Sequence, residues 1–568
     1  MDPAAAALCY FLVFAAWKGY FPDEEVEKRM RPKEKLMKES YWRHIPFVAL
    51  CAVFVATRLF FISHTPYEYD SVNYAFGLYH FSIPNTTPHA PGYIFYVFLG
   101  KLMLHVIHDP FRMLPVLNCI AGLLAMVFLF RIGGLLYSVR TGYIAAGLFV
   151  FNPLVWYCGE VAEIYSIEAA LSASLGYLFL KHFCHGRIFP LYWGSLLLGI
   201  AGGFRQNVEV FLIPLWLYMV FRTGRRRREQ LLCLALLIAA TALWAIPTIA
   251  NCGGLGEYMR LNRETLLFYF KEYSVFYGAP LARNLFMVLK VFCWTMLFMG
   301  PMLLASALIA IHLRPLPWRR YGVFFALWIL PSLFFFCGVY IAKPGYLLAI
   351  IIPVIVITAA AIDAFSRSRV QAAALSIAIA VPGLVYLFSP GVGGNEIPLQ
   401  LSAGQNKASA AFKRLFRYTI NDVKYSDALN DAFVSSLREK TGKQRPALFI
   451  FTNFSDWNFR FANYYFPDVE AHEFIFQRNY SFISHTRFAH GRLGECQDIS
   501  IPIDNRDLFI FLSDASEHGR ALNSLGYRKI AVMENVGYYY FPSGSFSTIG
   551  FDGPKIFLRE NPATCPGP

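Results

Sequence analysis

The chain has 568 residues, 56% of them hydrophobic and only 15% charged. Soluble multidomain proteins carry about 25% charge, so a wholly soluble protein is excluded. The formal net charge of +14 would suit nucleic acid if it were gathered on a soluble domain, but much of it lies in short loops between apolar runs, the pattern of the positive-inside rule, and nucleic acid is not expected as a partner.

Residues 4–16 form a short apolar run without a basic n-region or a small-residue cleavage site, and read as an interfacial or extra N-terminal helix. The charged stretch Asp23 to Arg43 after it, with Lys28, Arg29, Arg31, Lys33, Lys35, Lys38 and Arg43, belongs on the cytoplasmic side, which makes residues 1–43 an interfacial and cytoplasmic segment. A first span over residues 44–63 then delivers Asp70 outside. Residues 92–108 are apolar and aromatic but short for a crossing, and Lys101 and His105 interrupt them. Laid along the interface, they let every later loop sort by charge.

In that register Arg140, the stretch Lys181 to Arg187, Arg225 to Arg228, Arg314 to Arg320, and Arg367 with Arg369 all face the cytoplasm. This gives about eleven spans within residues 44–390 and leaves residues 391–568 outside. The tail reads as a mixed soluble domain, with strands at 447–452 and 508–512 and helices at 408–418 and 427–438. The expected architecture is an α-helical polytopic membrane protein with interfacial helices and an extracytoplasmic C-terminal α/β domain.

The 11 cysteines show no metal-ligand spacing, and Cys496 and Cys565 are the one pair that could bridge. His89, His105 and His108 lack a zinc-site spacing, and no glycine-rich phosphate loop follows a strand. Asn-X-Ser/Thr sites stand at Asn85, Asn453 and Asn479.

The acidic residues are more informative. Asp70, beside Glu68 and one helical turn from Tyr74, is either a general base tuned by its aromatic neighbours or the cap of a helix beginning near Ser71. Glu160 and Glu163 follow a break at Asn152-Pro153 and stand one turn apart if helical; the alternative is a solvated pair at a helix N-terminus. Glu168 lies deeper in the next span, where an ionisable side chain is a functional candidate. Arg205-Gln206-Asn207 and Lys343-Pro344-Gly345-Tyr346 form further polar breaks on the outer side, and residues 251–284 carry Arg260, Arg263, Lys271 and Arg283. Cations outside run against the charge rule, so an anionic head group or phosphate is the physical reason to place them there, ordinary surface charge being the alternative.

Tyr69-Asp70-Ser71-Val72-Asn73-Tyr74-Ala75, followed by Pro88-His89-Ala90-Pro91-Gly92-Tyr93 and Arg112-Met113-Leu114-Pro115, resembles the opening of GT-C membrane glycosyltransferases. The protein O-mannosyltransferases and the lipid A aminoarabinose transferase are the nearest in pattern. Ala162-Glu163-Ile164-Tyr165-Ser166 resembles a motif of the O-mannosyltransferase branch, and Lys343 to Tyr346 resembles a loop before a late span. The resemblance covers roughly residues 44 to 365. The first loop departs from the acidic pair often found in the mannosyltransferases, although Glu68 is near, and the C-terminal domain matches no family domain.

The resemblance implies transfer of a sugar from a polyprenyl-phosphate donor to an extracytoplasmic acceptor, which could be a protein, a lipid or a glycan. Asp70 would act as base, with Glu163 orienting the acceptor or sharing that role. Glu68, Tyr74, His89, Tyr93, Glu160, Tyr165 and Tyr346 would position donor or acceptor. Arg205, Arg260, Arg263, Lys271 and Lys343 are the candidates to hold the lipid phosphate. No cofactor is called for, although a divalent cation would suit the chemistry. The expected location is a multi-pass protein of the plasma or inner membrane, or of the ER membrane in a eukaryote. The competing readings are a transporter or lipid flippase, whose charges would sit near the bilayer midplane in repeated halves, and a GT-C core that has lost its chemistry.

Overall fold

Apolar runs of membrane length fold as helices because a backbone in lipid must satisfy its own hydrogen bonds. The computed structural model follows that rule over residues 33–387. It describes residues 33–222, 226–312, 318–390, 415–441, 446–452, 457–474, 481–486, 489–493, 498–514, 516–533, 536–552 and 555–560. The expected helix at 4–16, most of the one at 408–418, Asn453, Asn479, Cys496 and Cys565 lie outside the described residues.

The helices run in the order α1 (Lys33–Phe61), α2 (Tyr69–Tyr79), α3 (Ile94–Leu104), α4 (Pro110–Leu136), α5 (Val139–Val150), α6 (Pro153–Glu160), α7 (Tyr165–His185) and α8 (Phe189–Phe204). They continue with α9 (Gln206–Arg222), α10 (Arg227–Asn251), α11 (Leu255–Tyr273), α12 (Leu281–His312), α13 (Trp318–Gly338), α14 (Leu348–Phe365) and α15 (Arg369–Leu387). Two compact units result. The first contains Met1–Ile62 and Ala90–Ser389, the second Ser63–His89 and Pro390–Pro568.

Among the described residues of the first unit six helices are long and apolar enough to cross a membrane, seven if the pair α5 and α6, bent by 58°, is one span. The apolar stretches of α4 and α14 are 78% buried, against 22–28% for α10, α12, α13 and α15; the first two are core helices, and the others turn apolar faces outward. Helix α3 has 11 residues. At 1.5 Å per residue it reaches only about 16 Å, half a hydrocarbon core, so it does not cross as a helix. Helix α1 begins at Lys33, eleven residues before the expected start, since the lysines and glutamates there are good helix formers.

Caps fix where these helices start and stop. Asp109 accepts from the amide of Phe111 (3.0 Å) with Pro110 in the first turn of α4. Asn152 accepts from Leu154 (3.0 Å) and Val155 (3.2 Å), so α6 starts afresh after α5. The turn before α5 is held by buried Asp363 of α14. It accepts from Thr141 Oγ1 (2.6 Å), Ser138 Oγ and Arg140 Nε, and Arg140 Nη2 also donates to the Asp363 carbonyl (2.7 Å).

In the second unit residues 63–89 fold with the C-terminal part of the chain, a division that differs from the expected one at residue 390. Buried polar groups make the difference. On α16 (Ile420–Thr441), Asp427 accepts from Ser63 Oγ (2.7 Å) and Thr65 Oγ1 (2.6 Å), and Asn430 donates to Thr65 Oγ1 and the Pro66 carbonyl (2.9 Å each). The main sheet contains β1 (Ala447–Thr452), β2 (Glu470–Phe474), β3 (Ser481–Thr486), β4 (Ala489–Leu493), β6 (Asp507–Phe511), β7 (Ile530–Met533) and β8 (Val536–Phe541) in the order β4-β3-β2-β1-β6-β8-β7. Strand β1 is parallel to both β2 and β6, and its unbroken apolar run suits a strand covered on both faces. A smaller antiparallel sheet joins β5 (Asp498–Pro502), β9 (Phe546–Asp552) and β10 (Lys555–Glu560). Helix α17 (Phe459–Tyr465) follows β1, and α18 (Glu517–Ser524) follows β6. The strands expected at 447–452 and 508–512 and the helix at 427–438 are present within a residue or inside a longer element.

Candidate active site

Three interruptions of the helical chain come together in the first unit. One is the stretch 161–164 between α6 and α7. The second is Arg205, extended (φ −157°, ψ 111°) between α8 and α9. The third is the 3-10 turn Pro344–Leu347 before α14. Each leaves backbone groups that a continuous helix would have satisfied, and each carries a charged side chain in or beside it.

Glu163 lies in the first interruption. Asn118 of α4 donates from Nδ2 to the carbonyls of Val161 (2.8 Å) and Glu163, holding the stretch open. The expectation that Glu160 and Glu163 share a helical face is therefore corrected: Glu160 ends α6, Val161 turns extended, and α7 restarts at Tyr165. Both carboxylates are 1% exposed, which also removes the solvated alternative. Lys343 reaches Glu163 Oε1 at 3.4 Å and is the more open partner, 19% exposed.

Arg205 pairs through Nε with Glu168 Oε1. Its guanidinium lies over the rings of Tyr165 and Tyr346 at 4.7 Å each and of Tyr93 at 5.9 Å, and the Tyr165 and Tyr346 rings are 5.5 Å apart. Tyr93 adopts φ 49° at the start of α3, a backbone region that disfavours side chains and gathers at functional sites. The cluster thus holds two cations and two carboxylates, caged by three tyrosines. Electrostatic pairing of this kind offsets the cost of burying charge.

Glu160 has a different neighbour. Arg58 of α1 is fully buried, donates from Nη2 to the Val150 carbonyl (2.6 Å) and lies over Phe54 and Trp156 at 4.1 and 4.4 Å; Glu160 is its charge partner. Lys290 of α12 donates to the carbonyls of Ile341 (3.2 Å) and Ala342 (3.4 Å), just ahead of Lys343. Sequence reasoning missed Asn118, Arg58 and Lys290, although a polar side chain inside an apolar helix is a signal by itself.

The remaining cations of residues 251–284 behave as surface charge. Arg260 of α11 bonds Glu257 and Glu264 on its own helix, Arg283 bonds Glu272 (2.6 Å), and Arg263 and Lys271 are exposed. Pairs spaced three or four residues apart on an exposed helix are ordinary.

In the second unit Asp70 stands at the second position of α2. The cap is Glu68, in a capping box with Ser71 whose Oγ accepts from the Glu68 amide (3.3 Å). The capping alternative for Asp70 is therefore corrected. His89 Nδ1 lies 3.6 Å from Asp70 Oδ1, each side chain 26% exposed, and the His89 ring is 6.1 Å from that of buried Tyr74. A carboxylate beside an imidazole and partly open to solvent can accept a proton. Among the described residues no three His, Cys, Asp or Glu side chains gather as metal ligands.

Residues 89–250 match the family described as dolichyl-phosphate-mannose-protein mannosyltransferase. A protein O-mannosyl-transferase of Dictyostelium discoideum, tmem260, is 23% identical over 301 residues, which is 45% of this chain; the chain spans 36% of that relative's length. The crystal structure of ArnT from Cupriavidus metallidurans in the apo state is similar at TM-score 0.52, with 11% identity, over 89% of this chain and 98% of that one. The same protein bound to undecaprenyl phosphate gives TM-score 0.54, with 10% identity, over 88% and 98%. The fold is thus ArnT-like, and the resemblance to GT-C membrane glycosyltransferases read from the motifs holds.

Proposed function

We propose that the chain is a GT-C membrane glycosyltransferase that moves a sugar from a polyprenyl-phosphate donor to an extracytoplasmic acceptor, with inversion. The observation that carries this reading is the charge cluster of Glu163, Lys343, Arg205 and Glu168 at three helix interruptions. It falls in the fold of a protein whose structure is known with undecaprenyl phosphate, and the family match over residues 89–250 spans Tyr93, Glu163, Glu168 and Arg205. Mannose is the sugar named by that family.

Asp70 takes the proton of the acceptor hydroxyl as its oxygen forms a bond to the anomeric carbon. The bond from that carbon to the phosphate oxygen breaks, and the electron pair leaves with the lipid phosphate. A phosphate is already a weak base, so it needs positive charge more than a general acid. Lys343, the more open of the two cations, takes that role. Arg205, neutralised by Glu168 and enclosed by tyrosines, keeps Tyr93, Tyr165 and Tyr346 in place, and Glu163 holds the Lys343 ammonium. Direct attack on the face opposite the leaving group inverts the anomeric centre.

The finer topology belongs to the same proposal. Counting the bent pair α5 and α6, and also α1, α7, α8 and α9, as crossings gives about eleven. The basic turns then face the cytoplasm, and the C-terminal domain lies outside. Purified protein supplied with polyprenyl-phosphate mannose and polyprenyl-phosphate aminoarabinose tests the activity. Release of polyprenyl phosphate, with a product anomer opposite to the donor's, is expected from one of them; retention of configuration refutes direct displacement.

A further inference from the structure

Arg460 of α17 is fully buried, a costly place for a guanidinium. Three features of the structure offset that cost, and all of them lie on the segment that carries Asp70. Its Nε donates to Asn73 Oδ1 at 2.9 Å, and its Nη2 to Thr86 Oγ1 at 3.4 Å. The guanidinium lies over the Phe76 ring at 4.7 Å. Asn73 is three residues after Asp70, so the two share a face of α2. Thr86 belongs to the strand-like turn closed by Ser82 and Thr87, three residues before His89.

The base of α17 is itself fixed. Asn458 caps it by accepting from the Arg460 amide at 2.8 Å, and Tyr464 one turn later meets Phe76 at 5.8 Å between ring centroids. Burial pushes the Arg460 pKa down while Tyr69 and Glu473 oppose the shift.

We infer that Arg460 is a positioning residue, through which the C-terminal domain sets the geometry of Asp70 and His89 by clamping both ends of the segment between them. This rests on the reading of Asp70 as the base. It gives the C-terminal domain a part in the transfer itself and distinguishes it from a separable acceptor-binding module.

Two measurements on the full-length protein test it. Hydrogen exchange compares wild type, Arg460→Met and Arg460→Lys. In Arg460→Met, protection of residues 69–79 and 82–89 falls while β1 and β6 keep theirs, and Arg460→Lys restores part of it. Unchanged protection overturns the clamp. The second measurement is turnover of polyprenyl-phosphate mannose. Arg460→Met lowers kcat about a hundredfold with KM for the donor unchanged, the effect of misplacing a reacting group by about 1 Å. In the Asp70→Asn background the same change lowers the residual rate no further, whereas a purely structural loss would. Asp70→Asn at the wild-type rate, with protection lost in Arg460→Met, overturns the base and leaves the clamp. A dead Asp70→Asn beside a fully active and protected Arg460→Met overturns the clamp alone.

Discussion

Replacing Lys343 by methionine removes the cation but keeps most of its length. Glu163 Oε1 is 3.4 Å from the ammonium, and the carboxylate is 1% exposed. At an effective dielectric of about 20 the pair is worth roughly 5 kcal/mol of direct attraction. Stripping one partner from a buried pair typically costs about 3–5 kcal/mol, because the other charge is left uncompensated. Lys343→Met therefore lowers stability by about that amount, read as a fall in the midpoint of thermal unfolding in detergent. Glu163→Gln added to Lys343→Met recovers most of the loss, since no buried charge then remains. The catalytic consequence separates from this one. If Lys343 stabilises the departing phosphate, kcat falls about 10²- to 10³-fold in both the single and the double variant. A single variant as stable as wild type would refute the pairing. A stable double variant with wild-type kcat would refute the electrostatic role.

Gly345→Ala places a methyl 2.3 Å from the Tyr165 ring, which must shift away from Arg205; we expect a destabilisation of about 1–3 kcal/mol and reduced turnover. Wild-type activity and stability there would show that the tyrosine cage tolerates displacement. Asn118→Ala removes the amide that holds two carbonyls beside Glu163, at about 1–3 kcal/mol, and donor KM should change less than kcat. Glu473 in the C-terminal domain is pushed up to about 7 by burial, against the opposing Arg460 charge. A carboxyl raised in the folded state binds its proton there while the unfolded chain has lost it, so this group makes stability fall as pH rises from about 4.5 to about 7. Glu473→Gln flattens that decline and is more stable than wild type above pH 7; an unchanged pH profile of unfolding contradicts the assignment.

Much of the membrane part was legible because lipid imposes one rule on every span. Apolar length marked the helices, and proline and polar breaks at 152–153, 205–207 and 343–346 marked their interruptions. Arg205 and Lys343 read as cations for a lipid phosphate; that each pairs with a carboxylate was not legible, since the partners lie 37 and 180 residues away along the chain. The face shared by Glu160 and Glu163 was misread because helical spacing assumes a helix, and the carbonyl contacts from Asn118 that end it come from another element. Asp70 was placed correctly at a helix start, but the cap belongs to Glu68. Arg460 gave no signal at all. It lies in a stretch with no pattern of its own, and its meaning comes from Asn73 and Thr86, nearly 400 residues earlier.

The proposed transfer turns on Asp70 as the base. The measurement is the rate of polyprenyl phosphate release from a sugar donor that wild type consumes, for wild type and Asp70→Asn at equal folded concentration. A loss of about 10²- to 10⁴-fold, with donor binding intact, is the predicted result for a general base. Release at the wild-type rate would contradict it, and with it the chemical role of the segment that Arg460 holds.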